Sequence, residues 1–143
     1  MPRYLADTSI WAWASKPARP DIAEKLAARV DGDAVVTCIP VALELLHRAD
    51  TSARYRQLYD ALLAPLDWLD LTREAARRAL AVQQALAAQS DGAHRRPAAD
   101  FLIAAVAELH DDVVLWAFDD DYRIIAGFTG QPLELETSTG PGH

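Results

Sequence analysis

Apolar residues along the chain recur in short blocks and at helical spacing by turns, and the two patterns alternate from one end to the other. Arg3 to Ala6 predicts a first strand, and Asp7, Thr8 and Ser9 then supply side chains able to cap a helix. Pro17 and Pro20 punctuate before a second helix, expected from Asp21 to Val30 and closed by Asp31-Gly32-Asp33. Ala34 to Cys38 is rich in β-branched residues and too short for a typical helix, so it reads as a buried strand. Pro40 suits the first turn of the next helix, which runs through Arg48. Thr51 to Leu63 repeats apolar positions at helical spacing, Leu66 to Leu69 is a candidate third strand, and Thr72 to Gln89 is an alanine-rich helix stopped by Ser90-Asp91-Gly92.

Pro97 opens the most apolar helix, Ala98 to Leu109, which is hydrophobic nearly all round and belongs in the core. A fourth strand, Val113 to Phe118, leads into Asp119-Asp120-Asp121, a short helix to Ala126 and a last strand near Leu133 to Glu136. Strands separated by helices imply right-handed crossovers. The expected fold is therefore α/β, a three-layer α/β/α sandwich with a central parallel sheet. Residues 1–136 are expected to form one domain, with 137–143 a flexible C-terminal tail.

Composition narrows the function. With 143 residues, 51% of them hydrophobic, the chain can bury a sizeable core. A single cysteine, Cys38, excludes a disulfide or a cysteine zinc site within one chain and fits a reducing cytoplasm. Nothing approaches the roughly 18 uninterrupted apolar residues of a membrane span, so a soluble protein with no membrane partner is expected. A net charge of −7, from 14 basic and 21 acidic residues, argues against a sequence-blind polyanion binder relying on overall attraction. Basic residues still group at Arg73, Arg77 and Arg78, which read most simply as a solvated helix face, and at His94-Arg95-Arg96. Arg95 and Arg96 precede the helix carrying Asp100 and are candidate phosphate contacts, because arginine grips phosphate in a bidentate fashion; a solvated loop or a partner contact is the alternative.

Four carboxylates stand where such a chain can bring them together: Asp7 after the first strand, Glu44 within a helix, Asp100 in a helical first turn, and Asp119 after the fourth strand. In open α/β sheets ligands bind beyond the carboxyl ends of the strands. Carboxylates gathered there repel one another unless a hard divalent cation such as Mg²⁺ or Mn²⁺ holds them, so a metal-dependent reaction on phosphate is the first hypothesis. Each acid has an ordinary alternative. Asp7 and the Asp119 to Asp121 run can cap helices, Asp100 can oppose a helix macrodipole, and Glu44 can pair with Arg48 one turn on. The joint pattern weighs against four coincidences, since Asp100 enters a helix otherwise built for burial, where a lone carboxylate is costly.

Other chemistries lack their signatures. Ser9 has no glycine-framed elbow, His47, His94, His110 and His143 follow no metal-ligand spacing, and the six glycines form no phosphate-cradling loop. Trp11, Trp13, Trp68 and Trp116 read as core or interface anchors.

Leu5-Ala6-Asp7-Thr8-Ser9, Pro40-Val41-Ala42-Leu43-Glu44-Leu45-Leu46, Ala99-Asp100-Phe101-Leu102-Ile103-Ala104-Ala105 and Phe118-Asp119-Asp120-Asp121-Tyr122, in that order, resemble a PIN domain, and more narrowly a VapC-type toxin ribonuclease of a VapBC toxin–antitoxin system. No one motif is specific; order and spacing carry the resemblance across nearly the whole chain. It implies an Mg²⁺-dependent endoribonuclease with Asp7, Glu44, Asp100 and Asp119 as its acidic quartet. Asp7, Asp100 and Asp119 would bind Mg²⁺ or Mn²⁺, with Asp121 an auxiliary acid and Ser9 a supporting hydroxyl. Asp119 directly follows the strand, and Asp121-Tyr122 matches the family's later acidic–aromatic pair; Ala117-Phe118 stands where the family often has a hydroxyl residue. The resemblance also implies an RNA substrate, a VapB-like antitoxin and a homodimer; the short connection from Arg96 to Asp100 would let Arg95 and Arg96 help position an RNA backbone.

A different class stays open. An Mg²⁺-dependent phosphatase-like domain would also place acids at strand ends, but a receiver-type domain needs a late lysine, and the only lysines are Lys16 and Lys25. A haloacid-dehalogenase-like site needs a second aspartate where Ser9 stands. A non-catalytic metal- or partner-binding module is the remaining alternative.

Overall fold

The computed structural model describes residues 1–118 and 120–137. The chain enters through β1 (Arg3–Ala6), whose Leu5 and Ala6 are fully buried. Asp7 then turns it into α1 (Thr8–Ala14), accepting the Ser9 N–H as an N-cap. Next comes α2 (Pro20–Asp31), which starts one residue earlier than expected because proline is well suited to a first helical position. It leads to β2 (Val35–Thr37) and α3 (Ile39–His47), with Pro40 in the first turn of α3. Thr51 caps α4 (Ser52–Leu58), and Thr72 caps the long α5 (Arg73–Gln89).

Between those caps the structure departs from expectation. The single helix expected over 51–63 changes hydrogen-bond spacing at Tyr59, where α4 passes into a π-helical turn, Tyr59–Leu63. The strand expected over 66–69 shrinks to β3 (Asp67–Trp68). The apolar helix appears as α6 (Ala98–Glu108), with Phe101 and Ile103 through Ala107 buried. After β4 (Val113–Ala117), α7 (Asp121–Thr129) runs three residues past Ala126 until Gly130, at φ 75°, provides the left-handed C-cap. The last strand is β5 (Leu133–Leu135).

All strand pairings are parallel, in the order β3-β2-β1-β4-β5, with Leu5 level with Val36 on one side and Leu115 on the other. Helices flank this sheet as the alternating pattern predicts. The order reverses between β1 and β4, so the crevice beyond their carboxyl ends is the place where such a sheet opens for a ligand. Asp7 follows β1 directly.

Trp116 is fully buried and Trp11 nearly so, while Trp13 and Trp68 pack against the core partly buried. Lys25 and Arg29 of α2 reach across to Glu134 and Glu136 at β5, and the Arg29 guanidinium lies 3.6 Å from the ring centre of Tyr4 and 4.3 Å from that of Trp116. Arg19 pairs with Asp21 and donates to the Thr137 carbonyl, so the first residue of the expected tail is tied down. Residues 138–143 of that tail lie outside the described residues. No helix among the described residues is long and apolar enough to cross a membrane.

Candidate active site

Local folding rules place two of the acids. Asp7 is held where β1 ends and α1 begins, because its carboxylate must accept a backbone N–H left unpaired by the first helical turn: Oδ2 takes the Ser9 N–H at 3.1 Å. Asp100 sits in the first turn of α6, where a negative charge is favoured, and the burial of the rest of that helix carries it inward. Both side chains are buried.

One hydroxyl joins them. Tyr122, in the first turn of α7 and fully buried, approaches Asp7 Oδ1 at 2.7 Å and Asp100 Oδ1 at 3.1 Å. Glu44 is half-buried and accepts the Thr8 hydroxyl at Oε1, 2.9 Å away, so it faces α1 and the cleft. Ser9 Oγ accepts the Phe118 N–H at 3.1 Å, fastening the start of α1 to the end of β4. Asp7, Ser9, Glu44 and Asp100 thus line one cleft of roughly 560 Å³ with Thr8, Leu43, His47, Arg48 and Pro97. Asp119 lies outside the described residues.

The electrostatics follow from the burial. Asp100 is pushed up to about 7, first by desolvation and then by the charge of Asp7, with the Tyr122 hydrogen bond opposing both. Burial and the same two carboxylates raise the Tyr122 phenol well above its ordinary value, so it stays protonated. Cys38, the N-cap of α3, is pushed up to about 12 by burial, so its thiol stays protonated.

The donor set fits a hard cation. Oxygen ligands of two buried carboxylates converge, and one of them resists ionising while its neighbour is charged, which is the cost that a divalent ion removes. Among the described residues no group of three His, Cys, Asp or Glu side chains is placed to hold a metal ion; Asp7 and Asp100 are the two buried carboxylates of the cleft.

The remaining candidates divide. Asp121 forms an ion pair with Arg96, joining the starts of α6 and α7 beside the cleft. Arg95 is exposed, whereas Arg96 is only partly so, and the two arginines expected to act alike therefore differ in setting. The Tyr122 hydroxyl and the Thr8 hydroxyl escaped sequence reasoning. The available signal for the first was a phenol, rather than a phenyl, on the inward face of an amphipathic helix.

Comparison with known proteins agrees with this architecture. The pattern of the family described as "PIN domain" matches residues 4–127. Two proteins of Mycobacterium tuberculosis are each 38% identical to the chain: ribonuclease VapC18 over 92% of it and 93% of the relative, and ribonuclease VapC51 over 96% of both. The crystal structure of DNA-bound VapBC from Salmonella typhimurium contains a similarly folded chain, with a TM-score of 0.71 at 18% identity, covering 94% of this chain and 98% of that one. VapBC2 from Rickettsia felis, solved with a promoter DNA fragment, gives 0.69 at 16% identity, over 93% and 98%. With its match running from β1 into α7 and its relatives aligned over nearly their whole length, the chain belongs to the PIN domain family, in its VapC branch.

Proposed function

We propose that this protein is a divalent-metal-dependent endoribonuclease, the toxin of a VapBC-type toxin–antitoxin pair. The observation that carries the reading is the buried Asp7–Asp100 pair at the point where the strand order reverses, with Glu44 and Ser9 lining the same cleft. The names of the 38% identical relatives supply the ribonuclease activity. Similarly folded chains in VapBC structures support a VapB-like antitoxin as partner. A homodimer and a cytoplasmic location complete the proposal.

Asp7, Asp100 and Asp119 would hold Mg²⁺, or Mn²⁺ in its place. When bound, the ion supplies charge neutralisation at the scissile phosphate and a lowered pKa for a water molecule. The chain's own residues do the rest. Glu44, anchored at Oε1 by Thr8, orients the attacking water through its other oxygen, and Ser9 keeps α1 aligned with β4. Hydrolysis leaves a 5′-phosphate and a 3′-hydroxyl. Single-stranded or loop RNA is the substrate class, because its bases can splay away from a compact cleft.

The test is cleavage of an end-labelled single-stranded RNA by antitoxin-free protein. Cleavage is expected with Mg²⁺ and none with EDTA. Equal cutting in both overturns metal dependence, and hydrolysis of small phosphate monoesters without RNA cleavage overturns the nuclease reading.

Arg95, exposed before α6, is the proposed backbone contact. In a cleavage-dead Asp100→Asn background, Arg95→Ala is expected to lower the salt slope of RNA binding by about 0.7, the share of one phosphate on a single strand. An unchanged slope removes Arg95 from the interface. Arg96, committed to Asp121, contributes by holding the loop.

A further inference from the structure

A buried phenol needs a partner for its hydroxyl, and a phenylalanine at position 122 would have avoided that need. The Tyr122 hydroxyl instead reaches the place where two buried carboxylates meet. Its oxygen lies 2.7 Å from Asp7 Oδ1 and 3.1 Å from Asp100 Oδ1, and these belong to the cap of α1 and the first turn of α6, while Tyr122 starts α7. One atom thus ties three elements together. Asp7 is engaged at both oxygens, since Oδ2 already accepts the Ser9 N–H, and Asp100 is engaged at Oδ1. The hydroxyl has a single proton, which both Oδ1 atoms approach, so these contacts fix the rotation of the Asp7 carboxylate plane and gather the Asp7 and Asp100 oxygens around one donor.

Such control matters for the choice of ion. Mg²⁺ demands near-ideal octahedral geometry at short distances, whereas Ca²⁺ accepts longer and more variable ones. Groups that orient ligands without touching the metal typically govern about tenfold to a hundredfold in affinity.

We propose that Tyr122 is a positioning residue for the cation: its hydroxyl sets the separation of the Asp7 and Asp100 carboxylate oxygens, and so the preference for a small octahedral ion such as Mg²⁺ over Ca²⁺. This inference rests on the reading of those two acids as metal ligands.

Titration calorimetry of the wild-type protein and Tyr122→Phe with Mg²⁺ and with Ca²⁺ tests it. The variant is expected to bind Mg²⁺ about tenfold or more weakly and to lose less affinity for Ca²⁺, so that discrimination narrows. Equal losses for both ions would mean that the hydroxyl serves only the packing, and unchanged affinities would mean that it serves neither. Should Tyr122→Phe fail to fold, the wild-type protein labelled at tyrosine ¹³Cζ decides the matter. The Tyr122 resonance, assigned by replacing Tyr4, Tyr55 and Tyr59 in turn with phenylalanine, is expected to move along the calorimetric Mg²⁺ curve. A stationary resonance overturns the proposal. Wild-type protein that binds neither ion overturns it together with the metal-site reading, whereas normal Mg²⁺ selectivity in a folded Tyr122→Phe overturns the role of Tyr122 alone.

Discussion

Asp100→Asn is expected to lose RNA cleavage while making the metal-free protein harder to unfold. On the proposed function, removing one charged ligand forfeits electrostatic stabilisation of the reaction worth about 4 kcal/mol, a loss of roughly a thousandfold in rate. The gain in stability has the opposite origin. Desolvation and the Asp7 charge hold the folded-state Asp100 at about 7, against 3.8 for an unperturbed aspartate. Between those values the folded state binds more protons than the unfolded state, so the stability of the metal-free wild type falls as pH rises from about 4 to 7 and levels off above that range. Asparagine removes the ionisation and with it that slope, raising the melting temperature in EDTA at pH 8 by a few degrees. Added Mg²⁺ should stabilise the wild type and leave the variant nearly unmoved. Cleavage assays beside thermal unfolding across pH check this. An active Asp100→Asn, or one less stable than wild type in EDTA at pH 8, would remove Asp100 from the metal centre.

Leu115→Ala should cost about 3 kcal/mol of unfolding free energy. Leu115 is fully buried in β4, level with Leu5 of β1 and Leu133 of β5, so the missing atoms leave a cavity at the middle of the sheet. That is a large part of the 5 to 15 kcal/mol typical of a domain. Urea unfolding should show a lower midpoint with an unchanged slope. A loss under about 1 kcal/mol would contradict the close packing of β1 against β4.

The places of Asp7 and Asp100 were legible because local rules govern them, whereas that of Glu44 depends on α3 meeting α1. Asp7 must cap a helix directly after a strand, and Asp100 opens a helix whose other residues demand burial, so sequence position constrains where each carboxylate lies. At Asp7 the side chain that caps α1 also lines the cleft, so the ordinary reading of that residue does not exclude the proposed one. The Tyr122 contact was not legible. It depends on how α1, α6 and α7 meet, and nothing within α7 specifies the distance from its first turn to residues 22 and 115 positions away. The π-helical turn was hidden for a related reason: residues 51–63 carry apolar spacing that suits an unbroken helix, and the change of hydrogen-bond spacing at Tyr59 leaves that pattern intact.

The two ends of the sheet bear on how this chain behaves in a crowded solution. Unpaired strand edges are templates for pairing with another chain, and they are blunted when short or charged. β3 offers two residues, and β5 offers three with Glu134 among them and Glu136 just beyond, both paired with cations of α2. Neither rim can seed an extended ladder with a neighbouring molecule. At high concentration the sheet is therefore guarded against strand pairing at both rims, and charge reversal at Lys25 and Arg29 is the change that would unfasten this guard at β5.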